Sequence, residues 1–126
     1  MRSAAILDST LREGEQLTSA FFNLEQRLKI ARLLDAVGVT FIEVPSPVVS
    51  LETRQTVRAL CELGLRAQLV AHVRCVESDV QAALDTPVYG LNLFYGTSAE
   101  LRTFSHGRAI TWRLGWEVKR GLLPLM

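Results

Sequence analysis

Residues 4–16 read AAILDSTLREGEQ: an apolar run, Ala4-Ala5-Ile6-Leu7, passes straight into a loop carrying Asp8, Arg12, Glu13 and Glu15 around Gly14. An apolar run this short is what a strand buried on both faces of a parallel sheet looks like. Charge crowded directly behind such a strand asks for an explanation, because a loop with no task has no need of it. The rest of the chain supplies one.

Downstream of the loop, apolar residues recur at helical spacing from Leu24 through Leu28, Ala31, Leu34 and Val37. Asn23 is placed to cap that helix and Gly38 to end it. VTFIEV, residues 39–44, is β-branched and aromatic and predicts a second strand. Ser50 can cap a second helix with Val57, Leu60, Cys61 and Leu63 on its apolar face, ending at Gly64. Leu69 to Val73 predicts a third strand, Ser78 to Leu84 a short third helix, and Tyr89 to Phe94 a fourth strand.

Strand and helix alternate with short links, which means βαβ units and a parallel sheet. There is no G-x-G-x-x-G after the first strand and no P-loop, which weakens the nucleotide-binding folds. A (β/α)8 barrel fits the beat better, and that fold typically needs about 250 residues. The expected architecture is α/β: about four βα units, the N-terminal half of a (β/α)8 TIM barrel, over residues 1–108.

In such a barrel the carboxyl ends of the strands converge on one face, where active sites lie. Asp8, Arg12, Glu13 and Gln16 follow the first strand, Glu43 ends the second, His72 ends the third, and Asn92 lies in the fourth. The charged loop is therefore read as one wall of a site. Taken alone, Arg12 and Glu13 would be a solvated pair and His72 a satisfied core histidine; their shared position at strand ends favours the site. Glu43 sits between Ile42 and Val44, and a buried carboxylate needs a partner. Asp8 is better placed to order the loop by bonding its own backbone.

The composition excludes several other roles. With 14 Lys and Arg against 13 Asp and Glu, a formal net charge of +1 gives no footprint for nucleic acid or an acidic membrane. No apolar run approaches a membrane span, and the acid at position 8 comes too early for a secretory leader. A soluble intracellular protein is expected, in cytoplasm, mitochondrion or nucleus. Cys61 and Cys75 share no metal-type spacing with each other or with His72 and His106. Cys61 reads as a small buried apolar residue and Cys75 as a loop thiol.

DSTLREGEQ, residues 8–16, resembles the signature of the metal-dependent Claisen-condensing barrels, the superfamily that includes isopropylmalate and homocitrate synthases. Glu13, where isopropylmalate synthases usually show Asp, makes the motif more similar to homocitrate synthase. Phe21-Phe22, Ile42-Glu43 with Ser46-Pro47, His72-Val73-Arg74-Cys75, Gly96-Thr97-Ser98, Leu101-Arg102 and Ser105-His106-Gly107 extend the resemblance to about Arg108.

The resemblance implies an acyltransferase that condenses acetyl-CoA with 2-oxoglutarate to homocitrate for lysine biosynthesis, a homodimer at full length. It implies a divalent metal (Mg, Mn or Zn) with Glu13 as a ligand, and Arg12 as the catalytic group that stabilises the developing alkoxide. By the same resemblance Arg12, Gln16, Glu43, His72, Asn92 and Arg102 line the substrate pocket.

Two features depart from the family. Asn92 stands where the family usually shows Asp, within the strand-four pattern, which removes a negative charge. Family enzymes are commonly inhibited by lysine competing with 2-oxoglutarate, and an Asp there could pair with the lysine ammonium. After Arg108 the family continues with four more strands and a His-x-His that completes the metal site. Here residues 109–126 read AITWRLGWEVKRGLLPLM, which looks like sequence that has left the family's frame. Such a half barrel leaves two raw parallel edges. The competing expectations are an isopropylmalate synthase relative and a non-catalytic half barrel that pairs with itself or with a full-length synthase.

Overall fold

The computed structural model of the chain describes residues 4–14, 21–94 and 110–113. Its elements are β1 (Leu7–Asp8), α1 (Thr10–Glu13), α2 (Leu24–Val37), β2 (Phe41–Val44), α3 (Leu51–Cys61), β3 (Gln68–Arg74), α4 (Glu77–Leu84), β4 (Gly90–Phe94) and β5 (Ile110–Arg113). The strands lie side by side in chain order, with β1 to β4 all parallel. The expected beat of strand and helix is present throughout this region.

Capping follows the residues that predicted it. Asn23 and Gln26 form a reciprocal box: Gln26 N donates to Asn23 Oδ1 and Asn23 N to Gln26 Oε1, each at 2.9 Å. Gly38 ends α2 at φ 92°, a conformation that favours glycine, and its N–H reaches Leu34 O at 3.2 Å. Ser50 Oγ accepts from Thr53 N at 3.0 Å at the start of α3. That helix closes at Cys61, with Glu62 N donating to Arg58 O, before Gly64 is reached.

The sheet has two chemically different faces. Ile42 and Val44 of β2, Leu69, Ala71 and Val73 of β3, and Leu91 of β4 are buried in one cluster with Leu11, Ala31, Val57, Leu60 and Ala83 from the helical segments. The alternate positions, Glu43, Val70, His72 and Asn92, fall on the other face. Burying a Val, Leu or Ile side chain contributes about 1.5–3 kcal/mol. A one-residue slip of β2 would expose Ile42 and Val44 and drive Glu43 into the apolar layer, so packing fixes which way the carboxylate faces.

Three details differ from the sequence expectation. Ala4 to Leu7 is not a buried strand: Ile6 and Leu7 are 57% and 44% exposed, and regular pairing covers only Leu7–Asp8. β1 stands at the sheet edge with a neighbour on one side, so nothing described covers its other flank. Conversely, β4 does not present a raw edge, because β5 pairs with it antiparallel, from Gly90↔Arg113 to Leu93↔Ile110. Cys61 is half-buried against the core, and burial, with Glu62 nearby, pushes its thiol up to about 11.

Candidate active site

β1 delivers the charged loop to the carboxyl end of the sheet, and the loop folds on itself. Asp8 Oδ1 accepts from Thr10 N at 2.9 Å, ordering the backbone as its position in the sequence suggested. Arg12 N and Glu13 N both donate to Ser9 O, closing the single turn of α1. Leu11 is fully buried in the helix-side core and anchors that turn. Gly14 sits where an added Cβ would lie 3.0 Å from the Phe22 ring, so a larger residue there would require that ring to shift.

The turn sends Arg12 to Glu43. Arg12 Nε donates to Glu43 Oε2 at 2.6 Å, while its Nη2 pairs with the neighbouring Glu13. Glu43, on β2, is 1% exposed. Its other oxygen, Oε1, is met by His72 Nδ1 from β3 at 3.2 Å and by Asn92 Nδ2 from β4 at 2.6 Å. Three consecutive parallel strands, β2 to β4, and the helical turn that follows β1 thus contribute to one hydrogen-bonded cluster.

Burial acts to raise the Glu43 pKa, since it removes water from a carboxylate. The hydrogen bonds from His72, Arg12 and Asn92, with the charge of Arg12, outweigh it and bring the group from the ordinary 4.5 down to about 2. Glu43 is an anion held among donors. Such a cluster can orient a guanidinium and an imidazole beside each other, and a guanidinium stabilises an oxyanion without losing its proton.

Of the residues expected at the site, Arg12, Glu43, His72 and Asn92 are brought together directly, and Glu13 joins through Arg12. Gln16 and Arg102 lie outside the described residues. The sequence did not predict that Glu43 would be the shared acceptor of three residues; the available signal was its burial between Ile42 and Val44.

For a divalent metal, the donor set is incomplete here. Glu13 offers an oxygen donor of the right kind, but among the described residues no three His, Cys, Asp or Glu side chains cluster as a metal would need. A second ion pair nearby is structural: Arg74 Nε and Nη2 meet the carboxylate of buried Asp79 at 2.6 and 3.2 Å, tying α4 to β3. A shallow cavity of about 460 Å³ lies at the amino ends of β2 and β3, the opposite end from the cluster, lined in part by Asp35, Phe41 and Arg66.

Among known proteins, the chain is 45% identical over 108 residues to a mitochondrial homocitrate synthase of Schizosaccharomyces pombe, covering 86% of the chain and 26% of that protein. It is 46% identical over 107 residues to the cytosolic homocitrate synthase isozyme of Saccharomyces cerevisiae, covering 85% and 25%. A homocitrate synthase of Pyrococcus abyssi is 43% identical over 90 residues, covering 71% and 25%. The chain spans about a quarter of the length of these relatives. No described helix is long and apolar enough to cross a membrane. The HMGL-like family model matches residues 3–118, so the chain belongs to the HMGL-like family, and its four parallel strands with their helices are the amino-terminal half of a (β/α)8 barrel.

Proposed function

We propose that this chain is the amino-terminal part of an acyltransferase that condenses acetyl-CoA with 2-oxoglutarate to homocitrate. The observation that carries the reading is the cluster of Arg12, Glu43, His72 and Asn92 at the carboxyl ends of the parallel strands, in a chain similar to named homocitrate synthases. Arg12 is the group proposed to face the developing alkoxide, and Gln16, His72, Asn92 and Arg102 to line the dicarboxylate pocket.

A divalent ion (Mg, Mn or Zn) belongs to the same reading, with Glu13 as one ligand and the others from the part of the family sequence that follows Arg108. When bound, it supplies Lewis-acid polarisation of the keto carbonyl. The test is CoA release by a full-length protein carrying these residues, with acetyl-CoA and 2-oxoglutarate. Turnover of 2-oxoisovalerate in preference would instead make it an isopropylmalate synthase.

One observation favours a second reading, a half barrel that associates with a copy of itself. β1 is an edge strand with Ile6 and Leu7 exposed, which is the kind of surface that recruits another strand. Sizing of the purified chain against concentration tests it; a monomer at all concentrations removes it.

A further inference from the structure

We propose that Glu43 is a positioning residue that fixes His72 in its Nδ1–H tautomer, so that Nε2 is the proton-accepting atom of the neutral ring, while holding the Arg12 guanidinium by Nε. The catalytic meaning of this arrangement rests on the function proposed above, but the geometry itself does not.

Only donors can satisfy Glu43. Its carboxylate receives Arg12 Nε at Oε2, and Asn92 Nδ2 and His72 Nδ1 at Oε1, at 2.6, 2.6 and 3.2 Å. Arg12 has no accepting atom, and Asn92 presents its amide nitrogen here. An ionised carboxylate can only accept, so Nδ1 of the neutral ring must carry the hydrogen; the alternative tautomer would set a nitrogen lone pair against an anion. Both Glu43 oxygens are thereby engaged by the protein. That gives Glu43 the part a buried carboxylate plays behind a histidine in catalytic triads.

The arrangement also ties three strands together. Glu43 sits on β2, His72 on β3 and Asn92 on β4, and the apolar packing of Ile42 and Val44 holds the carboxylate in place. A histidine whose tautomer is set in this way can take up a proton at Nε2, which lets it donate to a substrate carboxylate, and return it without turning its ring.

Nitrogen-15 NMR of the full chain with labelled histidine, at alkaline pH where imidazoles are neutral, reads the tautomer directly. His72 and His106 are the only histidines, and His106→Gln assigns their signals. The expected wild-type pattern for His72 is a protonated Nδ1 and an unprotonated Nε2. In Glu43→Gln the amide oxygen is expected to stay with the Arg12 cation and the NH2 to face His72, shifting the hydrogen to Nε2. In Asn92→Ala, where Glu43 remains, the wild-type tautomer should persist. A wild-type His72 protonated at Nε2 overturns the proposal even if the Gln variant does not fold, as does a tautomer that follows Asn92 instead of Glu43. None of these readings depends on synthase activity, so a chain with the expected tautomer and no role in condensation would sink the proposed function alone.

Discussion

Asn92 donates to Glu43 across the intervening strand, Nδ2 to Oε1 at 2.6 Å. An Asp at 92 would set two carboxylates at hydrogen-bond distance, and such a pair needs a proton or a cation between them. Asn92 meets the need internally. In a full-length protein carrying this half, Asn92→Asp should therefore bind lysine more tightly, since the ammonium would settle between the two acids. Hydrogen bonds to charged groups contribute roughly 1.5–3 kcal/mol, so calorimetry should register about a tenfold gain or more. Equal lysine affinities in the two forms would refute this.

Acid should weaken the fold through Glu43. Its pKa lies at about 2 in the folded chain against an ordinary 4.5, so the folded state favours the anion. That contribution is complete above 4.5 and is lost as pH falls through the interval down to about 2. A difference of this size corresponds to roughly 3 kcal/mol. Urea denaturation at a series of pH values should show the decline, and Glu43→Gln, less stable at neutral pH, should show much less of it. Parallel profiles for the two proteins would remove Glu43 as the cause.

Glu13→Gln in the full-length protein should abolish condensation mainly by weakening metal binding. Glu13 is the carboxylate that the motif sets beside Arg12, and if it is the ligand proposed above, neutralising it should cost at least the 10- to 100-fold typical of groups that merely support ligands. Titration of Mn or Zn by calorimetry is decisive; an unchanged affinity would mean that the carboxylate serves only Arg12.

Assayed as the 126 residues alone, the protein should release no CoA from acetyl-CoA and 2-oxoglutarate. It spans about a quarter of its relatives, and the described residues gather no three-ligand metal cluster. A misplacement of about 1 Å can cost roughly 100-fold in rate, and a site lacking part of its walls positions its substrate far worse than that. Metal-dependent turnover by the purified chain would show that residues 109–126 supply groups not recognised in the sequence.

The elements were legible because local chemistry and burial agree at each of them. Asn23, Gly38 and Ser50 cap or end helices as their types predict, and β2 and β3 carry the apolar residues that fill the core. β1 was misread because Ala4 to Leu7 has the composition of a covered strand, and composition cannot say whether a neighbour is present. The antiparallel β5 was missed because ITWR sits in a stretch without a strand-and-helix beat. Arg12, Glu43, His72 and Asn92 could be nominated one by one from their places at strand ends. Their convergence on Glu43 could not, since it depends on the register Val70↔Gly90 and Glu43↔Val70, which only the folded sheet displays.

Because β1 to β4 lie in the sheet in the order in which they occur in the chain, each βα unit finds its neighbour already made when it leaves the ribosome. Every new strand docks onto the one synthesised just before it, so no strand need wait for a distant partner and loop-closure costs stay small. Arg12 would meet Glu43 as soon as β2 is in place, and His72 and Asn92 would join it in turn. The site would therefore be assembled by synthesis itself, one strand at a time, from the amino terminus onward.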